Sequence, residues 1–403
     1  MHAAGWPAAA TAGRLLSDLG AQVSTRAGPA LEGNGVSVSA APSSITGDWA
    51  ASGASELTGR AGGPVLASTG HPATLARAAG FVLELVSGQR IETTTLLSQR
   101  AMVLGLARNG SISAGGASRL LRAADGWFAL SLPRKSDVEL MPALIEHSYV
   151  GDPWAAVSRW AVHRSAAAIV NRASMLGLAA ADLPMPKDAR STTRPKPWKA
   201  SLRFSQYRLS TDQAPRVVNL GSLWAAPLCA HLLHRCGMRV SDIESTYRPD
   251  VSPAEFYVLL HDGHQRVALD FASTEGRATL ARHLHDADVV LEASRPRALR
   301  ALGVGAEEIM TDGRERVWLR ITGHGQAQNR IAFGDDAAVG GGLVAWDATG
   351  PVFAGDAIAD PLTGIIGAVI ASACIRAGGS WLIDLSMTEV ARYAVRSEGP
   401  NSA

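Results

Sequence analysis

Apolar and polar positions follow two periods along this chain, and the clearest succession begins at Arg216. Val217-Val218-Asn219-Leu220 is a short apolar run stopped by Gly221-Ser222, a pattern that predicts a buried strand and a tight turn. From Pro227 to Cys236 the apolar residues take helical spacing, and Gly237 stands where a helix C-cap glycine belongs. Met238 to Ile243 predicts a second strand, ending in Glu244; further strands are expected at Arg266 to Phe271, Asp288 to Leu291 and Arg316 to Ile321. A helix over Thr274 to Asp286 falls between two of them. Strands alternating with helices predict parallel βαβ units, whose ligands collect at the carboxyl ends of the strands.

The first half has a weaker pattern. Gly28 to Gly63 is rich in Gly, Ser and Ala, and loops with little regular structure are expected there. Pro72 to Val86 predicts a helix. Trp127 to Leu132 predicts a strand introduced by Asp125-Gly126, with helices following at Val138 to His147, Pro153 to Val162 and Ala166 to Leu176. Pro184 to Ser201 carries Pro, Lys, Arg and Thr without apolar periodicity, the composition of a linker. Two stretches echo each other across the chain. Gly5-Trp6-Pro7 through Val23 is similar to Trp224-Ala225-Ala226-Pro227 through Val240, and Pro64-Val65-Leu66-Ala67 with Gly80 is similar to Pro351-Val352-Phe353-Ala354 with Gly367. The second pair shares an offset of 287, which sets Ala73 against Asp360.

Length and composition narrow the function classes. A chain of 403 residues is long for one core, so two to three domains are expected. A net charge of +2 leaves no large basic field for a polyanion, so nucleic acid is not an expected partner. Cys229, Cys236 and Cys374 form no CxxC pair, which points to a reducing cytoplasm and away from disulfides or a cysteine metal site. Met1 to Pro7 lacks the basic and apolar regions of a signal peptide. The apolar run Ile365 to Ile375 is too short to span a bilayer and suits a buried, closely packed helix, so no membrane role is expected.

The stretch Gly355-Asp356-Ala357-Ile358-Ala359-Asp360-Pro361-Leu362-Thr363-Gly364 concentrates the chemistry. It puts a carboxylate at the start of an apolar helix with a proline just inside. Asp360 there reads either as a cap on the first-turn N–H groups or as a nucleophile kept ionised by those groups and the helix dipole.

The second half resembles the family III CoA-transferases (CaiB/BaiF type), which include formyl-CoA transferase and 2-methylacyl-CoA racemase. Asn219 to Pro227 resembles the family's first strand and turn; His261-Asp262-Gly263-His264-Gln265-Arg266-Val267-Ala268-Leu269-Asp270 resembles its N-x-G-K-R-S-x-x-L-D segment. Ala287 to Pro296 followed by Leu302-Gly303, and Ile321-Thr322-Gly323-His324-Gly325-Gln326, resemble two further motifs in order, and Ala357 to Gly364 resembles the stretch holding the catalytic Asp. The resemblance implies an α/β fold, with a Rossmann-like parallel-sheet large domain and a smaller α+β domain. Residues 1–110 are then a degenerate partial copy of the large-domain elements, 111–185 the small domain, 186–215 a linker and 216–403 the CoA-binding catalytic lobe.

The activity so implied is transfer of coenzyme A from an acyl-CoA to a carboxylic acid acceptor through covalent intermediates on Asp360. Coenzyme A enters as substrate, with no tightly bound cofactor and no metal; the family's assembly is an interlocked homodimer, so a homodimer is expected, which the fused partial copy either preserves or replaces with a pseudo-dimer. By the same resemblance Leu223, Trp224 and Ala225 lie along the path of CoA, Arg266 and Arg295 are its cationic contacts, and Gly115-Gly116 is the glycine-rich loop over the site. Taken alone, Trp224 also reads as core, the two arginines as surface residues and the glycines as a plain turn.

The chain departs from the pattern in places. Ala293-Ser294 replaces Asn-Phe before Arg-Pro, Arg297 replaces the following Gly, and the basic pair is reduced to Gln265-Arg266. Related racemases carry His-Asp where this chain has Asp335-Asp336, so a base for α-proton exchange is missing and transfer is expected over racemisation. An α-methylacyl-CoA racemase and a non-catalytic acyl-CoA-binding subunit are the alternatives. His261, His264 and His324 lack metal-ligand spacing and are expected in loops or at the surface. A dinucleotide oxidoreductase is disfavoured because Gly221-Ser222-Leu223-Trp224-Ala225-Ala226 is not GxGxxG.

Overall fold

The computed structural model describes residues 6–21, 30–33, 36–39, 42–184, 196–203, 213–294 and 297–396. Its strands in chain order are β1 (Ala30–Gly33), β2 (Val36–Ser39), β3 (Ser118–Arg122), β4 (Trp127–Ser131), β5 (Ala179–Asp182), β6 (Trp198–Arg203), β7 (Arg216–Asn219), β8 (Arg239–Ser245), β9 (Gln265–Leu269), β10 (Val289–Glu292), β11 (Val317–Thr322), β12 (Val344–Asp347), β13 (Gly350–Phe353) and β14 (Ser380–Ser386).

Seven of these form one sheet in the order β6-β14-β11-β10-β7-β8-β9. All neighbours are parallel except β6, which runs antiparallel to β14. The order reverses at β7, so β7 and β10 part company at a topological switch point, where open α/β sheets bind ligands. Adjacent apolar residues divide between the two faces because side chains alternate along a strand. Val217 and Val289 join the main core under the helices Ala225–Arg235 and Ala359–Ala377, while Val218 and Val290 join Leu280 and Trp318 on the other face. The chain is therefore an α/β protein built on a mostly parallel sheet.

Helix Ala359–Ala377 is long and apolar enough to cross a membrane by length and composition, yet most of it is buried at the centre of the protein. It packs on Ala225–Arg235 at close range: a Cβ on Gly364 would lie 2.7 Å from the Ala225 carbonyl oxygen. Helix Pro72–Ser87 begins 287 positions before Ala359, the offset of the repeat. Pro7–Asp18 packs on Pro72–Ser87 as Ala225–Arg235 packs on Ala359–Ala377, and the two longer helices pack on each other. The first half of the chain thus carries a helix pair packed in the manner of the pair in the second half. Ala73, opposite Asp360 in the repeat, is buried.

The antiparallel sheet β3-β4-β5 forms a separate core with helices Met141–Ile145, Pro153–Ala161 and Ala166–Met175. Leu120, Ala129 and Leu183 then join it to helix Gly334–Gly340 and hairpin β12–β13 through Val339, Val344 and Phe353.

Several expectations need correction. Within Gly28 to Gly63 the chain forms a helix over Ile45–Ala51, a 3-10 turn over Ala54–Leu57 and the pair β1–β2. The helix is started by Ser44, whose hydroxyl accepts from Gly47 N, and anchored by the buried Trp49. The helix expected over Val138 to His147 is two short ones, Lys135–Glu139 and Met141–Ile145, divided at Leu140 just before Pro142, which cannot donate a backbone N–H. Inside the expected linker 186–215, Trp198–Arg203 is an edge strand on β14, almost wholly exposed, which is why it shows no apolar period.

Candidate active site

Four carboxylates and one guanidinium meet where helix Ala359–Ala377 begins. Asp360 sits in its first turn, partly exposed to a cavity of about 240 Å³. The walls come from Ser222 and Leu223 after β7, Ala293 and Ser294 after β10, and Ile321, Thr322 and Gly323 at the end of β11. This is the switch point of the sheet. Asp360 does not cap its own helix. Its Oδ2 accepts from Gly334 N at 3.1 Å, at the start of helix Gly334–Gly340.

The turn preceding Asp360 is held in an uncommon conformation. Ala357 has φ +42, and its N–H donates to Asp335 Oδ1 at 3.0 Å. Leu223 has φ +70, fixed by its N–H on Asp250 Oδ2 at 2.8 Å. Non-glycine residues in this region cost about 1–3 kcal/mol each and persist where surrounding contacts impose them, commonly at functional sites.

The electrostatics follow from burial. Burial pushes the Asp360 carboxyl up to about 7; the Arg100 charge opposes this, and the Asp335, Asp336 and Asp356 carboxylates reinforce it. The expectation that helix N–H groups keep Asp360 readily ionised is therefore corrected, because desolvation and like charges outweigh them. Asp336 is also raised to about 7, chiefly by burial, although it accepts from Phe333 N and Ser131 Oγ; its Oδ2 has no partner among the described residues. Asp335 is raised by burial and by Asp356, and it accepts from Ser118 Oγ at 3.0 Å.

Arg100 binds the buried Asp356 through two contacts, Nε to Oδ2 at 2.8 Å and Nη2 to Oδ1 at 2.5 Å. Burial works against its charge, but Asp356 outweighs burial and holds the guanidinium well above its ordinary range.

The expected site residues separate on this geometry. Asp360, Leu223 and Ala225 line the cavity. Trp224 does not: it is buried edge-on to Phe256 with Arg100 over its ring, so it is core and offers no ligand face. Arg266 is exposed on edge strand β9, against Tyr257 and outside the cavity lining. Arg295 lies outside the described residues. Gly115 sits beside the ion pair, where a Cβ would come 3.3 Å from Arg100 Nη2, and Gly116 takes φ +79 in the same turn; neither lines the cavity. Arg100, Arg134, Asp250 and Arg330 were not singled out from sequence, because they are single charged residues without a motif.

The histidines also need correction. His261 and the side chain of His264 are buried, both donating Nδ1 to Asp242 Oδ2, at 2.7 and 2.8 Å. Burial would raise Asp242, but these bonds outweigh it and lower the carboxyl to about 2. The three side chains are close enough to offer ligands to a metal ion, though both Nδ1 atoms are already satisfied by the carboxylate. Asn219 connects this network to the turn before Leu223, donating Nδ2 to Asp242 Oδ1 and accepting from Gly221 N. His324 is held by Thr388 and lowered to about 4 by burial.

Comparison with known proteins places residues 214–399 in the family model CoA-transferase family III. A succinyl-CoA–D-citramalate CoA-transferase of Chloroflexus aurantiacus is 26% identical over 196 residues, 43% of this chain and 48% of that protein. A succinate–glutarate CoA-transferase of Agrobacterium fabrum is 26% identical over 212 residues, 46% of this chain and 53% of that protein. The mouse alpha-methylacyl-CoA racemase is 30% identical over 115 residues, 28% of each chain. Among solved structures, a CAIB/BAIF family protein from Brucella suis matches at 27% identity with a TM-score of 0.40, covering 44% of this chain and 53% of that one. The chain spans about half the length of the relatives it matches.

Proposed function

Residues 214–399 belong to CoA-transferase family III, and from that premise we propose that the protein moves coenzyme A from an acyl-CoA to a free carboxylic acid, with Asp360 as the nucleophile. One observation carries this reading: a carboxyl raised to about 7 opens on a cavity at the switch point of a parallel sheet. A raised pKa makes the ionised carboxylate a better nucleophile while leaving much of it ionised near neutrality.

In the proposed sequence an Asp360 oxygen attacks the thioester carbonyl and CoA thiolate leaves, giving a mixed anhydride. The thiolate then attacks the Asp360 carbonyl, releasing the donor acid and forming an aspartyl-CoA thioester. The acceptor carboxylate attacks that carbonyl, again expelling thiolate and giving a second anhydride. Attack of the thiolate on the acceptor carbonyl forms the new thioester and restores Asp360. Gly334 N–H orients the carboxylate through Oδ2, and Asp335 holds the strained Ala357 turn that aims it. Arg100 balances charge behind it, which favours the ionised form.

Steady-state exchange in Asp360→Ala and Asp360→Asn tests the proposal: both variants are expected to lose turnover while still binding CoA. Full activity in both would refute it. Calorimetric binding of CoA by the wild type without any exchange would favour a non-catalytic acyl-CoA-binding protein. Racemisation is a second reading, supported by the partial likeness to the mouse racemase and by Asp336, raised to about 7, whose Oδ2 has no partner among the described residues. Deuterium wash-in at the α-carbon separates it from transfer.

A further inference from the structure

Among the described residues, Arg134 and Arg330 line the Asp360 cavity and Arg100 lies behind Asp360, and the three charges are balanced differently. Arg100 is paired with Asp356. Arg134, which lines the cavity, is paired with Asp137 through Nη2 at 2.7 Å and Nε at 3.0 Å. Arg330 also lines the cavity, but its contacts are neutral: Nη2 donates to the Ala180 carbonyl oxygen at 2.7 Å and Nη1 to Gln328 Oε1 at 3.3 Å. Burial lowers its pKa, and the charges of Asp182 and Asp336 oppose that shift without forming an ion pair with it among the described residues. A cation taken partly out of water with only dipoles around it is costly, and a ligand carboxylate would supply the missing countercharge.

We propose that Arg330 pairs with a second carboxylate on the substrate, so that the protein handles short dicarboxylic acids, as the acyl group of the thioester or as the acceptor. This rests on the transferase reading above. The partner of Arg330 is the non-reacting carboxylate, because a carboxylate held in a guanidinium fork has its lone pairs engaged and is a poor nucleophile. The cavity, at about 240 Å³, lies below the roughly 300–1,000 Å³ of pockets for drug-sized ligands and suits a short chain. Ile321, Ala332, Phe333 and Met387 supply apolar walls for the methylenes between the two carboxylates.

The test compares succinate with butyrate, acids of equal chain length that differ in the second carboxylate. Calorimetric titration of the wild type is expected to show tighter binding of succinate, and equal affinity for the two acids would overturn the proposal. In Arg330→Gln, succinate affinity is expected to fall about tenfold to hundredfold while butyrate affinity holds. Equal loss for both acids would make Arg330 a structural tether between β5 and the loop carrying Gln328, and would also overturn it. Arg330→Lys, which keeps the charge, is expected to retain part of the preference and serves if the Gln variant does not fold; in it, affinity for the two acids falling equally counts against the proposal. The same proteins are assayed with succinyl-CoA and butyryl-CoA, where the kcat/KM ratio is expected to collapse in Arg330→Gln. Wild-type exchange of neither thioester would refute the transferase reading, while the titrations still decide the role of Arg330.

Discussion

The amide of Gly334 donates to Oδ2 of Asp360 across 3.1 Å, and this bond between residues 26 positions apart joins the first turns of two helices. It exists because position 334 has no side chain. A Cβ there would fall inside contact distance of both Asp360 Oδ2 and the Ala357 carbonyl oxygen. Gly334→Ala is therefore expected to displace Asp360, lowering exchange by about a hundredfold and stability by about 1–3 kcal/mol. Exchange kinetics with a thermal melt check this; wild-type turnover would contradict it.

The pH dependence of turnover follows from Asp360. The reaction needs the ionised carboxylate, and its pKa lies at about 7. The kcat/KM value is expected to rise with pH up to about 7 and level off above. A profile flat between about pH 5 and 9 would contradict the assignment.

Stability is expected to run the opposite way. Asp336 and Asp360 are raised from 3.8 to about 7, so between those values the folded protein holds protons that the unfolded chain has released. Their contribution is fully present below about pH 4 and lost as pH rises through about 7. Urea denaturation is expected to give lower stability at pH 8 than at pH 5. Asp336→Asn, which stays neutral, is expected to recover of the order of 2 kcal/mol at pH 8 and to flatten the dependence.

Arg100 reaches the site from the first half of the chain, and its removal leaves Asp356 buried with an uncompensated charge. Arg100→Gln is expected to cost about 3 kcal/mol of stability. It also removes the cation that favours ionised Asp360, so the midpoint of the pH–activity profile is expected to move upward. A profile unchanged in position would show that Arg100 acts on stability alone.

The parallel sheet was legible in sequence because its central strands are buried on both faces and read as unbroken apolar runs, as at Val217-Val218 and Val289-Val290. Helix Thr274–Asp286 was legible to both ends, with Ser273 as its cap. Strand β14 was not, because Trp381, Leu382 and Asp384 are only partly buried and polar residues punctuate it. Asp360 could be picked out from its motif. Asp335-Asp336 stood out only by comparison with related racemases; Arg100 did not, since it lies 256 positions from the Asp356 it binds, nor did the serines of β3 and β4 that hold Asp335 and Asp336. The direction of the Asp360 shift was likewise hidden, since the carboxylates that reinforce it converge only in the fold. Trp224 read equally as a ligand platform or as core from its place in the turn, and burial against Phe256 decides for core.

The central claim is a covalent bond on Asp360, and trapping tests it most directly. The protein is incubated with an acyl-CoA and hydroxylamine, then digested and mapped by mass spectrometry. The account predicts a hydroxamate on Asp360 that forms only when the thioester is present. An unmodified Asp360 in a preparation that exchanges CoA would contradict it.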